Sequence, residues 1–122
     1  MSCRIVICDD QPGFRQLMTL VLGLENGLEV VGEAADGHAV VGVVAELDPD
    51  VLLLDIAMPV RDGIAALPEI KQAAPRTAVV MLSAFGSETM RSRAFAAGAD
   101  AFLEKGADVE DLVAQIREAC GA

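Results

Sequence analysis

Tryptophan and tyrosine are missing from this 122-residue chain, and four phenylalanines are its only large aromatics. The core must therefore be aliphatic, and a hydrophobic content of 53% supplies it. Histidine occurs once, as His38, and cysteine three times, as Cys3, Cys8 and Cys120. There is no CxxC pair and no His-Cys cluster, which disfavours zinc. The odd count reads as free thiols in a reducing compartment. Cys8 lies in an apolar run, where it is expected to act as a small hydrophobe. Basic residues are scarce, nine against nineteen acidic, for a net charge of -10. Such a surface does not grip nucleic-acid phosphates by itself; it suits cations or basic partner surfaces. No charged leader followed by a long apolar stretch is present, so neither a signal peptide nor a membrane span is expected. The expected location is the cytoplasm. No repeat, low-complexity tract or linker divides the chain, so residues 1–122 are expected to form one domain.

What the chain does have is a series of short apolar runs, each ending in a polar group. Arg4-Ile5-Val6-Ile7-Cys8 stops at Asp9-Asp10. Val51-Leu52-Leu53-Leu54 runs into Asp55 without alternation, as a strand buried on both faces does. Thr77 to Leu82 ends at Ser83-Ala84, and Asp100 to Glu104 ends at Lys105-Gly106. Leu28 to Glu33 alternates Val and Glu, which suggests an exposed edge strand.

Helical patterns lie between these runs. Pro12 suits a first turn, and Phe14, Leu17, Met18 and Val21 recur at helical spacing up to Asn26-Gly27. Asp36-Gly37 opens a helix carrying Val40, Val43, Val44 and Leu47, closed by Asp48-Pro49. Asp62-Gly63 opens another, to about Ala74, in which Pro68 requires either a late start or a kink. Ser87 caps a helix ended by Gly98, and Asp108 caps a last one with Leu112, Val113, Ile116 and Cys120 on its apolar face. Five strands alternating with five helices imply an α/β fold, a parallel sheet with helices on both faces.

In a parallel sheet, all the strand ends of one kind share one edge. Asp9, Asp10, Asp55, Ser83 and Lys105 therefore converge in one cleft, where open α/β sheets keep their ligand sites. Loops are polar in any fold, but four complementary ends behind apolar runs exceed that expectation. Clustered carboxylates repel, and a divalent cation relieves this; an all-oxygen set is what Mg²⁺ accepts. A metal, a lysine and a hydroxyl around a carboxylate form a stabilising shell for phosphoryl transfer. Asp55, single and central, is the candidate nucleophile for an aspartyl-phosphate.

These residues resemble the receiver domain of two-component response regulators, the CheY-like family. The similarity covers essentially the whole chain: Asp9-Asp10, then Asp55 with Met58-Pro59 and Asp62-Gly63, then Ser83-Ala84, then Lys105. Val79 to Ala84 and Ala97-Gly98-Ala99-Asp100 are similar to the LuxR/NarL-type subfamily. The resemblance implies a three-layer (βα)5, flavodoxin-like sheet of order 2-1-3-4-5. It implies that Asp55 accepts phosphate from a sensor histidine kinase. Asp10 and Asp55 would hold Mg²⁺ directly, Asp9 largely through water, with the Ala57 carbonyl completing the protein ligands. Ser83 and Lys105 would contact the phosphoryl oxygens, and Ser83 and Phe102 would act as the switch that remodels the face of the last two helices and fifth strand. It further implies an output, transcription through a helix-turn-helix domain absent from this chain, so that DNA is met only through that domain. Homodimerisation on phosphorylation is a further expectation.

The chain departs from the family pattern in places. Gly106 follows Lys105 where proline is frequent, which makes a cis peptide there less expected. Ala57 and Phe85 stand two residues after Asp55 and Ser83, where the family tunes phosphoryl lifetime. His38 lies away from the cleft and is given no phosphohistidine role. Two alternatives compete: a stand-alone receiver acting by protein contact, and a phosphohydrolase of the haloacid dehalogenase type. The latter expects a second Asp where Ala57 stands. A nucleotide-binding module lacks both GxGxxG and a P-loop.

Overall fold

A computed structural model describes residues 2–121. Ten elements alternate in chain order: β1 (Cys3–Cys8), α1 (Pro12–Gly23), β2 (Leu28–Ala34), α2 (Ala39–Leu47), β3 (Val51–Asp55), α3 (Gly63–Ala73), β4 (Ala78–Ser83), α4 (Glu88–Ala97), β5 (Ala101–Glu104) and α5 (Val109–Ala119). The strands form one parallel sheet in the order β2-β1-β3-β4-β5. This is the CheY-like arrangement that the resemblance implies.

The uninterrupted apolar run places β3 at the centre, with Val51 to Leu54 wholly buried between β1 and β4. β2 lies at an edge, as its alternation indicates. Two cores flank the sheet. Val40 and Val44 of α2, Leu67 and Ile70 of α3 and Ala94 of α4 pack on one face. Met18 and Leu22 of α1 and Leu112, Val113 and Ile116 of α5 pack on the other.

Helix starts follow their caps. The Asp62 carboxylate accepts from Ala65 N–H at 2.7 Å, and Ser87 Oγ accepts from Met90 N–H at 3.1 Å. Asp36 accepts from His38 and Ala39 N–H, and those two bonds hold its carboxyl below the usual carboxylate range. Asp108 sits at the α5 N-cap position without a side-chain bond. α3 starts at Gly63 and runs through Pro68, which rules out a late start. Proline has no N–H, so the Ile64 carbonyl loses its normal helical donor there.

Two expectations need correction. Leu17 points outward, 52% exposed, and forms an outer apolar stripe with Leu20 and Leu24. The inward stripe of α1 is instead Phe14, Met18 and Leu22. A run of apolar residues in every register leaves the direction to the sheet. Cys3 and Cys120 are also not free thiols: they are joined in a disulfide, with Cα atoms 6.2 Å apart. α5 runs back so that its C-cap meets the first residue of β1, a contact spanning 117 positions that no local pattern reveals. Cys8 is the free thiol and is buried, as expected of a small hydrophobe. Among the described residues no helix is long and apolar enough to cross a membrane.

Candidate functional site

The C-terminal ends of β1, β3, β4 and β5 deliver the polar groups that the sequence singles out. Asp55 is the last residue of β3 and Ser83 the last of β4, while Asp9 follows β1 and Lys105 follows β5. Three of them are buried: Asp9, Asp55 and Ser83 are 1%, 4% and 4% exposed. Asp10 is exposed at the rim. The carboxylates of Asp9, Asp10 and Asp55 each present an oxygen within 4.8 Å of the others.

Lys105 ties the cluster together. Its Nζ lies 2.6 Å from Asp9 Oδ2 and 3.4 Å from Asp55 Oδ2. Its backbone N–H donates to the Ser83 carbonyl at 2.8 Å, which locks the end of β5 to the end of β4. Burial opposes the ammonium charge, but the Asp9 and Asp55 carboxylates outweigh it and raise the lysine pKa. Asp55 is pushed up from the ordinary carboxylate range, first by burial and then by the Asp9 charge, with Lys105 pulling the other way. The Asp9–Lys105 contact is an ion pair rather than a well-aligned hydrogen bond. Asp9 Oδ2 is a buried acceptor with no hydrogen-bond partner among the described residues. The other oxygen, Oδ1, accepts from Gln11 N–H at 2.9 Å and fixes the turn after β1.

The loop after Asp55 folds back under the carboxylate. Gly63 N–H donates to the Ile56 carbonyl at 2.9 Å. A Cβ on Gly63 would collide with the Asp55 carbonyl oxygen, so glycine is required by close approach. Ala57 lies on this loop with its side chain exposed. Val60 on the same loop has φ 70°, a left-handed conformation that β-branched residues rarely adopt.

Ser83 and Phe102, expected as the switch, occupy defined positions. Ser83 Oγ donates to the Phe85 carbonyl at 2.8 Å and accepts from Phe85 N–H at 3.2 Å. Its hydroxyl is thus engaged along its own loop. The Phe102 side chain is buried in the core with the Arg91 guanidinium 5.9 Å from its ring centre. It walls a groove of about 560 Å³ between the start of α4 and the end of β5, lined also by Gly86, Ser87, Glu104 and Ala107. Phe85 is 87% exposed at the site's edge. No peptide is cis among the described residues, Lys105–Gly106 included.

Two further residues support the site without a signal in the strand-end pattern. The Phe14 ring lies 4.5 Å from Lys105 Nζ, a cation–π contact. Arg15 donates to the Asp9 carbonyl at 2.6 Å and pairs with Glu33 at 2.8 Å. Phe14 reads in the sequence as an apolar helix residue, and nothing in the strand-end pattern marks Arg15.

Known proteins share this fold. The response regulator receiver domain model matches residues 5–117. The chemotaxis protein CheY of Bacillus subtilis (strain 168) is 42% identical over 105 residues, 86% of this chain and 87% of that protein. The uncharacterized transcriptional regulatory protein YxjL of the same organism is 36% identical over 116 residues, 95% of this chain but 53% of that protein. The chain thus spans about half the length of that regulator. The receiver domain of the putative response regulator NarL from Mycobacterium tuberculosis superposes with a TM-score of 0.93 at 31% identity, over 99% of this chain and 98% of that one. A match from residue 5 in the first strand to residue 117 in the last helix places the chain in the response regulator receiver domain family.

Proposed function

We propose that Asp55 is a phosphoacceptor and that the chain is a signalling switch rather than a turnover enzyme. The carrying observation is the junction of Asp9, Asp55 and Lys105: two buried carboxylates at the sheet's ligand edge, bridged by one ammonium. A carboxylate oxygen of Asp55 attacks the phosphorus of a phosphohistidine on a sensor histidine kinase. The P–N bond breaks, the imidazole keeps the electron pair and takes up a proton, and an acyl phosphate remains on Asp55.

The residues fit Mg²⁺. The donors are all hard oxygens: the carboxylates of Asp9, Asp10 and Asp55 each present one within 4.8 Å of the others. Asp10 and Asp55 would hold the ion, with Asp9 acting largely through water and the Ala57 carbonyl contributing. Bound there, Mg²⁺ supplies charge neutralisation to the incoming phosphoryl group. Lys105 loses its claim on Asp55 when that carboxylate becomes an acyl phosphate, and turns its ammonium to the phosphoryl oxygens. The Ser83 hydroxyl leaves the Phe85 carbonyl for the same oxygens. That displacement pulls the segment from Ser83 to Ser87 inward, and with it the wall of the groove beside Phe102. The α4-β5-α5 face is thereby altered for a partner, a second copy of the chain being the candidate on phosphorylation.

The output is transcription through a helix-turn-helix domain outside these residues, a reading supported by the likeness to a transcriptional regulatory protein about twice as long. DNA contact belongs to that domain, since the receiver's charge is -10. The likeness to CheY over 87% of its length supports a second reading, a stand-alone receiver acting by protein contact. On either reading the protein works in the cytoplasm, beside its kinase.

The test is exposure to acetyl phosphate, or to beryllofluoride with Mg²⁺. Intact mass should rise by one phosphoryl group, and amide resonances from Ser83 to Phe102 should shift. Both responses should vanish in Asp55→Asn. A response that survives in that variant would falsify the assignment.

A further inference from the structure

We propose that Cys3 and Cys120 form a thiol–disulfide exchange site that closes on a small disulfide of the glutathione class and opens on the corresponding thiol. The clasp is independent of the phosphoacceptor reading. Cys3 is the first residue of β1, at the opposite end of the strand from Asp9, about 20 Å away at the rise of an extended strand.

The two cysteines are placed for bonding by the fold itself. Cys3 N–H donates to the Gly27 carbonyl at 2.7 Å, and its side chain is buried. Cys120 caps α5; its N–H donates to the Ile116 carbonyl at 2.9 Å, and left-handed Gly121 follows immediately. A Cα separation of 6.2 Å lies inside the range that disulfides span. Access differs between the two. Both cysteines line a groove of about 300 Å³ with Asp50 and Arg117, but Cys120 is half-buried where Cys3 is only 6% exposed. A small disulfide entering this groove meets Cys120 first.

The exchange then balances in two steps. Cys120 thiolate attacks one sulfur of the small disulfide; that S–S bond breaks and one thiolate leaves, taking up the proton Cys120 lost. Cys3 thiolate next attacks Cys120 Sγ, and the second thiolate leaves and takes up the Cys3 proton. The protein loses two protons and two electrons, and one small disulfide becomes two thiols.

Both states keep the fold. Leu112, Val113 and Ile116 anchor α5 to the sheet, and Arg117 donates to the Asn26 carbonyl at 2.9 Å. What the bond adds is a covalent hold on the last turn of α5. Cys8 takes no part: it is buried at the far end of β1 from Cys3. The nearby Asp50 carboxylate, within 4.8 Å of both sulfurs, makes a divalent cation the rival occupant of the reduced pair.

The experiment equilibrates the full chain in mixtures of oxidised and reduced glutathione. Free thiols are then alkylated in denaturant and counted by intact mass and peptide mapping. Oxidising mixtures should leave only Cys8 alkylated, and reducing mixtures all three cysteines. Cys3→Ser should accumulate a glutathione adduct at Cys120, whereas Cys120→Ser should leave Cys3 largely unmodified. Amide exchange over residues 117–121 should quicken several-fold on reduction, and equally in Cys120→Ser, a near-isosteric change at a half-buried position. Three alkylated cysteines at every ratio would overturn the proposal. So would disulfide-linked dimers in place of the internal bond, or one zinc ion per chain held by the reduced protein and lost in both variants.

Discussion

Lys105 Nζ lies 2.6 Å from Asp9 Oδ2, and Asp9 is the most deeply buried charged group of the site. Removing one partner of a buried pair leaves the other uncompensated, at a cost of several kcal/mol. Lys105→Met should therefore destabilise the chain by about 3 kcal/mol at pH 7. Urea midpoints at pH 7 measure it; equal midpoints for variant and parent would show that Asp9 is solvated without Lys105.

Asp55 carries the opposite sign of contribution. Its folded pKa is raised above the unfolded value, mainly by burial and the Asp9 charge. The folded state then binds protons more readily, so this stability is present in acid and is lost as pH rises through the folded pKa. At neutral pH the ionised carboxylate is a liability. Asp55→Asn should raise Tm at pH 7 by roughly 3 °C, with the gain fading as pH falls from the raised folded pKa to the ordinary carboxylate value. A melting series from pH 4 to 8 checks it, and a gain that grew toward acid would contradict burial and the Asp9 charge as the cause.

These groups were readable in sequence because each stands at the end of an apolar run, where a parallel sheet must gather them. Val51 to Leu54 announces a buried central strand by having no polar face, and Asp55 stands out against it. Relationships set by tertiary closure left no such trace. Cys3 and Cys120 sit at opposite ends of the sequence and become neighbours only when α5 crosses back under β1. Leu17 reads as core from its spacing, yet the sheet selects Met18 and Leu22. The engagement of Ser83 with its own loop depends on a backbone turn at Phe85 that side-chain type does not encode.

Ser83→Ala tests that engagement. The hydroxyl is buried and makes two bonds to Phe85, so its loss should cost about 1 kcal/mol. The larger effect should be on signal spread. With beryllofluoride and Mg²⁺, the variant should still shift resonances at Asp55 but lose most of the change at Phe102 and in α4. Full propagation to Phe102 without the hydroxyl would assign the coupling to the backbone alone.

Gly63 is tested by adding one methyl group. In Gly63→Ala the new Cβ meets the Asp55 carbonyl, a backbone atom held by the central strand and unable to step aside. Overpacking of this kind costs about 1–3 kcal/mol. Because the clash bears on Asp55 itself, acetyl phosphate labelling should slow several-fold. A surface control such as Gly42→Ala, where a Cβ meets nothing, should be neutral or slightly stabilising in its helix and should label at the parent rate.

Val60 stores strain in the loop that follows the phosphoacceptor. A left-handed φ of 70° costs an L-residue roughly 1–2 kcal/mol, and Val60 recovers nothing by burial because it is 81% exposed. Asparagine tolerates that conformation, so Val60→Asn should stabilise the chain by about 1 kcal/mol. Val60→Gly should gain less, because glycine also widens the unfolded ensemble. Denaturation midpoints of the three proteins should rank Asn above Gly above Val. A loop that holds its shape more cheaply should also bind beryllofluoride more tightly if Val60 strain opposes the closed site. An unchanged affinity beside a raised midpoint would confine the strain to folding.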